Sequence, residues 1–265
     1  MKSNTVRAKL KRGECAIGTW LTMASPTAAH LMAQVGFDWL TVELEHAPTS
    51  FETAACCYGL IAGGNTVPLA RVPINSTENI KRVLDTGAWG VIVPMVNTKA
   101  EAEAVVEAAR FGPIGKRTIG GQLHAAIFGT DTATYYKRAN DEILVVVMAE
   151  NIKAIENAEE IMSVPGIDCV FIGPNDLSNS MCLPPVFECD DKHFVEAIDH
   201  VYKTAKSRGI APGIHVVDWQ AAARRRDQGF QFIAISSETG LMLGKATESA
   251  RKLGLGADRP ALAKY

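Results

Sequence analysis

The chain has 265 residues, 47% of them hydrophobic and 21% charged, with a formal net charge of −2. That balance excludes a disordered or fibrous protein and leaves no general attraction to nucleic acid or to an anionic membrane, so a small-molecule partner is expected. Nowhere do about 18 uncharged apolar residues run together, and the basic opening, 1–12, has no apolar signal core. A cytoplasmic protein is expected, with Cys15, Cys56, Cys57, Cys169, Cys182 and Cys189 reduced and Cys169 in the core.

Taken in order, the chain alternates. Residues 15–22 read as a strand, and Ser25-Pro26 opens a helix over 27–34, the serine capping and the proline in the first turn. Strand 37–43 is followed by a helix from about Ser50 to Ile61, and strand 67–72 by a helix capped at Ser76 and closing at Asp85. Strand 89–96 leads to a helix capped by Thr98, where Glu101 completes a capping box. From Phe111 to Asp141 the periodicity lapses into glycine-rich text, read as a long irregular segment of the kind that is more often functional than accidental. Regularity returns with strand 143–149 and a helix from Asn151 to about Met162, then strand 166–173 and a proline-rich loop. Helix 190–208, strand 211–216, helix 218–227, strand 230–235 and helix 239–253 complete the chain.

Eight strand-like runs, each followed by a helix, predict a single (β/α)8 TIM barrel over 1–265, with the C-terminal helix a candidate for exchange or packing between subunits. An open doubly wound sheet is the rival. It lacks a G-x-G-x-x-G after the first strand, and no nucleotide cofactor is expected.

In such a barrel the carboxyl ends of the strands converge on one face, so polar residues there are to be read together. They are Glu43, Glu45 and His46 after the second strand, Arg71 in the third, Glu150 after the fifth, Asp176 after the sixth and His215 in the seventh. Glu43, Glu45 and His46 could also be no more than a capped turn with a satisfied loop histidine, and His215 a packing residue. No cation adjoins Glu150 or Asp176 in the sequence. A Mg²⁺ or Mn²⁺ ion would neutralise them and keep positions open for substrate, unless each only caps the next helix. Arg71 interrupts an apolar strand, and a buried guanidinium needs an anionic partner, either Glu45 or a substrate oxyanion. Together these groups suit a 2-oxo acid, with metal and arginine stabilising its enolate. The other route to that chemistry is a lysine Schiff base, and none of the strand runs contains lysine.

The segments Gly36-Phe-Asp-Trp-Leu40, Glu45-His-Ala-Pro48, Ala70-Arg-Val-Pro73, Lys81-Arg-Val-Leu-Asp-Thr-Gly87, Val93-Pro-Met-Val96, Ala149-Glu150 and Phe171-Ile-Gly-Pro-Asn-Asp-Leu-Ser178 resemble, in order, the HpcH/HpaI family of metal-dependent pyruvate aldolases. The resemblance implies a barrel assembled as a homohexamer and acting on a small 2-oxo acid and an aldehyde. It implies a divalent cation (Mg²⁺, Mn²⁺ or Co²⁺) on Glu150 and Asp176, Arg71 stabilising the pyruvate enolate, and His46 working with Asp85 in proton transfer near a subunit boundary. Glu45, with Glu43 beside it, would support Arg71. Trp20, Met148, Gly173, Pro174, Asn175 and His215 would surround the substrate.

Several positions depart from the family's pattern. Glu43 stands for the usual aspartate, Met148 for a frequent glutamine, and His215 where leucine often faces the aldehyde. Gly115-Lys-Arg-Thr118 lacks the glycine that usually follows the arginine. The second substrate is therefore expected to differ from the family's usual one. Rival functions are a related lyase acting on an acyl-CoA thioester, an enolate-forming decarboxylase, and a catalytically silent barrel kept for assembly or sensing.

Overall fold

Eight parallel strands close on themselves in chain order in the computed structural model, which describes residues 1–255. They are β1 (Ala16–Leu21), β2 (Trp39–Glu43), β3 (Val67–Arg71), β4 (Gly90–Val93), β5 (Leu144–Ala149), β6 (Cys169–Ile172), β7 (Ala211–Val216) and β8 (Phe232–Ser237), joined by helices. This is the expected (β/α)8 barrel. The strands are near-continuous apolar runs because the interior covers one face and the helices the other; every residue of β2 and β5 is buried. The caps read from the sequence hold: Ser25, Ser76 and Thr98 each accept a backbone N–H at the start of their helix, and Asn151, where a helix was expected to begin, does the same.

Three local expectations are corrected. Residues 111–141 are not irregular throughout, because they contain the helix Leu123–Ile127 and nearly all of the helix Thr132–Glu142. The second is capped by Asp131 but is polar, burying only Tyr135, Ala139 and Glu142, so an apolar period was absent from its sequence. The helix expected over 151–162 breaks at Asn157 into Ile152–Glu156 and Ala158–Ile161. Residues 174–180, read as loop, form the helix Pro174–Ser180, with proline in its first turn. A further helix, Thr5–Lys11, precedes the barrel.

An aromatic plug fills the barrel. The Trp39 ring stacks on Phe232 with centroids 4.3 Å apart, and Phe171 meets Phe232 edge-on at 5.8 Å. Truncating a buried ring of this size to alanine typically costs about 3–5 kcal/mol. Gly18 of β1 makes room for it, since a Cβ there would lie 2.1 Å from the Trp39 indole. Trp20, two residues further toward the carboxyl end, contacts both Trp39 and Phe171 edge-on and forms the floor of the space above them.

The amino-terminal end is closed by a buried ionic network. Asp168, just before β6, accepts from Arg7 Nε at 2.8 Å, Arg110 Nη2 at 2.9 Å and the Val145 backbone N–H at 2.9 Å. The same arginines donate to the carbonyls of Asp141, Asn140, Ile143 and Gly166, which ties the N-terminal helix to the barrel. Cys169 lies in the core, and none of the cysteines is bridged.

Candidate active site

Glu43 and Arg71 are register partners on adjacent strands, so their side chains leave the sheet side by side. Glu43 Oε2 accepts from Arg71 Nε at 2.6 Å, while Oε1 accepts the backbone N–H groups of Glu45 and His46 at 2.7 and 3.1 Å. One buried carboxylate thus pins the arginine and folds the turn that presents His46. Glu45 Oε2 lies 3.4 Å from Arg71 Nε and 3.6 Å from His46 Nε2. Glu45 thus pairs with Arg71 as expected, but it is not the principal partner. Glu43 is the nearer partner because it belongs to the ladder, whereas Glu45 sits in the loop. Burial pushes the Glu45 carboxyl up, with Arg71 and His46 opposing. Burial also works against the Arg71 charge, yet Glu43, Glu45 and Glu150 outweigh it and its pKa is raised. The Arg71 guanidinium lies over the Trp20 ring, 4.5 Å from its centroid.

Glu150 follows β5 and is buried. Its Oε1 accepts the Met95 N–H at 2.7 Å, and Met95 holds a left-handed φ of 53°, a sparsely used conformation for a residue with a side chain. Burial raises the Glu150 carboxyl to about 7, and the Asp176 charge adds to this against the Met95 hydrogen bond and Arg71. Asp176 lies in the first turn of Pro174–Ser180. That helix approaches closely because of Gly173, where a Cβ would stand 2.6 Å from Glu150 Oε2.

Glu150 and Asp176 face one cavity of about 280 Å³, and Glu43, His46 and Arg71 line it too. Trp20, Met148, Gly173, Pro174, Asn175 and His215 complete the set of expected residues that line it. Thr22, Phe171, Pro185 and Ser237 also line it and escaped the sequence reading. Thr22 and Ser237 stand at the ends of β1 and β8, where the strand-end rule that found Glu150 would have found them. Pro185 carried no signal of its own.

Asp85 stands apart. It ends the helix Thr77–Asp85, which runs antiparallel to the strands and so delivers it to the amino-terminal end of the barrel, where its Oδ1 accepts from Arg117 Nη2 at 2.8 Å. It does not line the cavity of its own chain.

The acids in the cavity outnumber the cations. Glu43 is paired with Arg71, while Glu150 and Asp176 form no salt bridge among the described residues. Among the described residues no three His, Cys, Asp or Glu side chains converge into a cage, so the donor set is a carboxylate pair. Two carboxylates that leave room for water and substrate oxygens fit a hard divalent cation. No lysine lines the cavity among the described residues.

Fold and site together place the chain among the (β/α)8-barrel enzymes whose active cavity opens at the carboxyl ends of the strands. Residues 16–244 match the family described as HpcH/HpaI aldolase/citrate lyase, and the chain belongs to that family. It is 35% identical over 253 residues to a 4-hydroxy-2-oxo-heptane-1,7-dioate aldolase of Escherichia coli, covering 95% of each chain. It is 32% identical over 250 residues to a hydroxypyruvate/pyruvate aldolase of Roseovarius nubinhibens, covering 94% of this chain and 96% of that one. Its fold superposes on the crystal structure of a HpcH/HpaI aldolase/citrate lyase family protein from Burkholderia cenocepacia with a TM-score of 0.88 at 30% identity, covering 95% of this chain and 99% of the other.

Proposed function

We propose that the protein is a divalent-metal-dependent aldolase that cleaves a 4-hydroxy-2-oxo acid to pyruvate, or a close 2-oxo acid, and an aldehyde, and also runs the addition. The observation that carries this reading is the carboxylate pair, Glu150 and Asp176, facing the cavity without a cationic partner beside an arginine already held by Glu43. A cavity so rich in carboxylates would repel a 2-oxo acid anion unless a dication offset the charge. The names of the relatives in Escherichia coli and Roseovarius nubinhibens agree with the reaction class.

Glu150 and Asp176 would hold Mg²⁺, Mn²⁺ or Co²⁺, which when bound polarises the 2-oxo acid carbonyl. Arg71, fixed at Nε by Glu43, directs its remaining N–H groups to the oxygen on which negative charge develops. His46, whose side chain is half exposed at the mouth, takes the C4-hydroxyl proton. The C3–C4 bond then breaks, the former C4 leaves as the aldehyde carbonyl, and the electron pair remains as the enolate, which takes the proton held by His46, directly or through water, at C3 to give pyruvate. Trp20 supplies the apolar floor beneath the reacting atoms.

Assembly belongs to this reading. The helix Glu238–Lys252 exposes Leu241, Met242 and Leu243, and Ile114 and Ile119 are exposed in the segment before Thr132–Glu142. Apolar surface of this kind is covered by further copies of the chain, as the homohexamer implied by the resemblance requires. Asp85 of one subunit would then serve the partner subunit's His46.

Pyruvate release from 4-hydroxy-2-oxo acids of differing tails, followed by coupling to lactate dehydrogenase, tests the proposal. Activity is expected with Mg²⁺, Mn²⁺ or Co²⁺, to vanish on chelation and to return on reloading. Turnover by protein shown by elemental analysis to be metal-free would refute it.

A further inference from the structure

His215 is the one residue of β7 that is not fully buried, and its exposure is into the cavity. Its ring is clamped edge-on by Trp20 at 5.7 Å and by Phe187 at 4.9 Å. Nε2 lies 3.1 Å from the Ser236 carbonyl oxygen. A carbonyl can only accept, so Nε2 carries the proton and Nδ1 is left with a lone pair. Nδ1 has no hydrogen-bond partner among the described residues and is not sealed from solvent, so it opens to the cavity.

The backbone is shaped to produce this. Between Gly18 and Trp20 of β1 the pairing on β8 advances from Ala234 to Ser237, one residue more than the ladder allows, and within that bulge Ser236 takes a left-handed φ of 48°. Strain of this kind persists where the surroundings enforce it, and here it accompanies the contact that sets the histidine's tautomer. Burial, opposed by the Ser236 hydrogen bond and aided by the Arg71 charge, lowers the His215 pKa to about 3, so the ring stays neutral across the working range.

We propose that His215 is a specificity-determining residue that accepts a hydrogen bond from a hydroxyl of the aldehyde, so that the enzyme takes hydroxyaldehydes in preference to their unhydroxylated or carboxylate-tailed counterparts. The proposal rests on the aldolase reading above. Arg71 and His215 contact the same indole, so the aldehyde joining the enolate held at Arg71 lies along the wall that presents Nδ1. A carboxylate tail has no proton to give and would meet a lone pair, whereas a hydroxyl donates to it.

The test measures kcat/KM for addition of pyruvate to matched aldehydes, glyceraldehyde against propanal and against succinic semialdehyde, in the metal-loaded wild type, His215→Leu and His215→Asn. One neutral hydrogen bond predicts about a tenfold preference for glyceraldehyde over propanal in the wild type, a larger one over succinic semialdehyde, and a ratio near one for propanal in His215→Leu. Asparagine places an oxygen near the Nδ1 position, so His215→Asn is expected to recover part of the preference. A wild-type ratio near one, or a preference that survives in His215→Leu, overturns the proposal. Deuterium exchange of the pyruvate methyl group by the wild type, with no aldehyde present, separates this from the underlying reading: exchange without hydroxyl selectivity defeats only the role of His215, and absence of exchange defeats the aldolase reading itself.

Discussion

Each end of the barrel buries an arginine among carboxylates, and the two ends do different things with it. At the amino end Arg7 and Arg110 share Asp168, and backbone carbonyls take up further guanidinium N–H groups. There burial dominates and the Arg110 pKa falls. At the carboxyl end Arg71 is matched by Glu43 and Glu45, with Glu150 close by, and its pKa rises although it too is buried. At the amino end two guanidinium groups thus share one acid and place their remaining N–H groups on carbonyls, while the carboxyl end carries more acid than cation. Unpaired buried charge costs stability, so the excess of acid at the carboxyl end is explained by a ligand, and the arginines at the amino end, compensated by Asp168 and carbonyls, by the fold.

The largest expected effect is at Glu150. Glu150→Gln keeps an oxygen for the Met95 N–H but loses the charge that holds a cation, so kcat/KM for pyruvate release is expected to fall by about a thousandfold or more. The thermal midpoint is expected to stay level or rise, because a poorly compensated buried carboxylate is removed. A fall in both would mean that Glu150 is structural. Arg71→Lys comes next. It keeps the charge but not the planar fork that Glu43 orients, and about a hundredfold loss in kcat/KM is expected.

Asp168→Asn reverses the pattern. Leaving Arg7 and Arg110 without their acid is expected to cost about 3 kcal/mol in denaturant unfolding, while kcat per folded molecule is retained. Lost activity with unchanged stability would collapse the distinction between the ends.

The smallest effect is one of pH. Glu150 is raised to about 7 from 4.5, so the folded, cation-free chain holds a proton that the unfolded chain releases across that window. Stability of the cation-free protein from this group is therefore lost as pH rises from 4.5 to 7. A cation must displace the same proton, so its affinity is expected to climb by up to about tenfold per pH unit below 7 and to level off above, as titration calorimetry would record.

Much of this contrast could be read in the sequence. Polar residues at the ends of apolar runs marked Glu43, Arg71, Glu150 and Asp176, because a buried strand has no other reason to end in charge. Serine and threonine caps marked helix starts. Other features depend on three-dimensional relations that spacing does not encode. The choice of Glu43 over Glu45 as the arginine's partner is a matter of strand register. The Met95 N–H on Glu150 and the β8 bulge behind His215 are backbone conformations with no residue signature. Thr132–Glu142 was missed because it is polar, and Asp85 points away from its own cavity. The proposed His46–Asp85 link is one between two chains, which one chain's periodicity does not encode.

The central claim is that Glu150 and Asp176 together hold one divalent cation that lets Arg71 stabilise an enolate. It is tested most directly by the rate at which the methyl protons of pyruvate exchange with deuterium, followed by NMR in metal-stripped protein before and after addition of Mg²⁺. Exchange that appears only with the cation, and fails to appear in Glu150→Gln, is the predicted result. Equal exchange by the stripped and the loaded protein would contradict it.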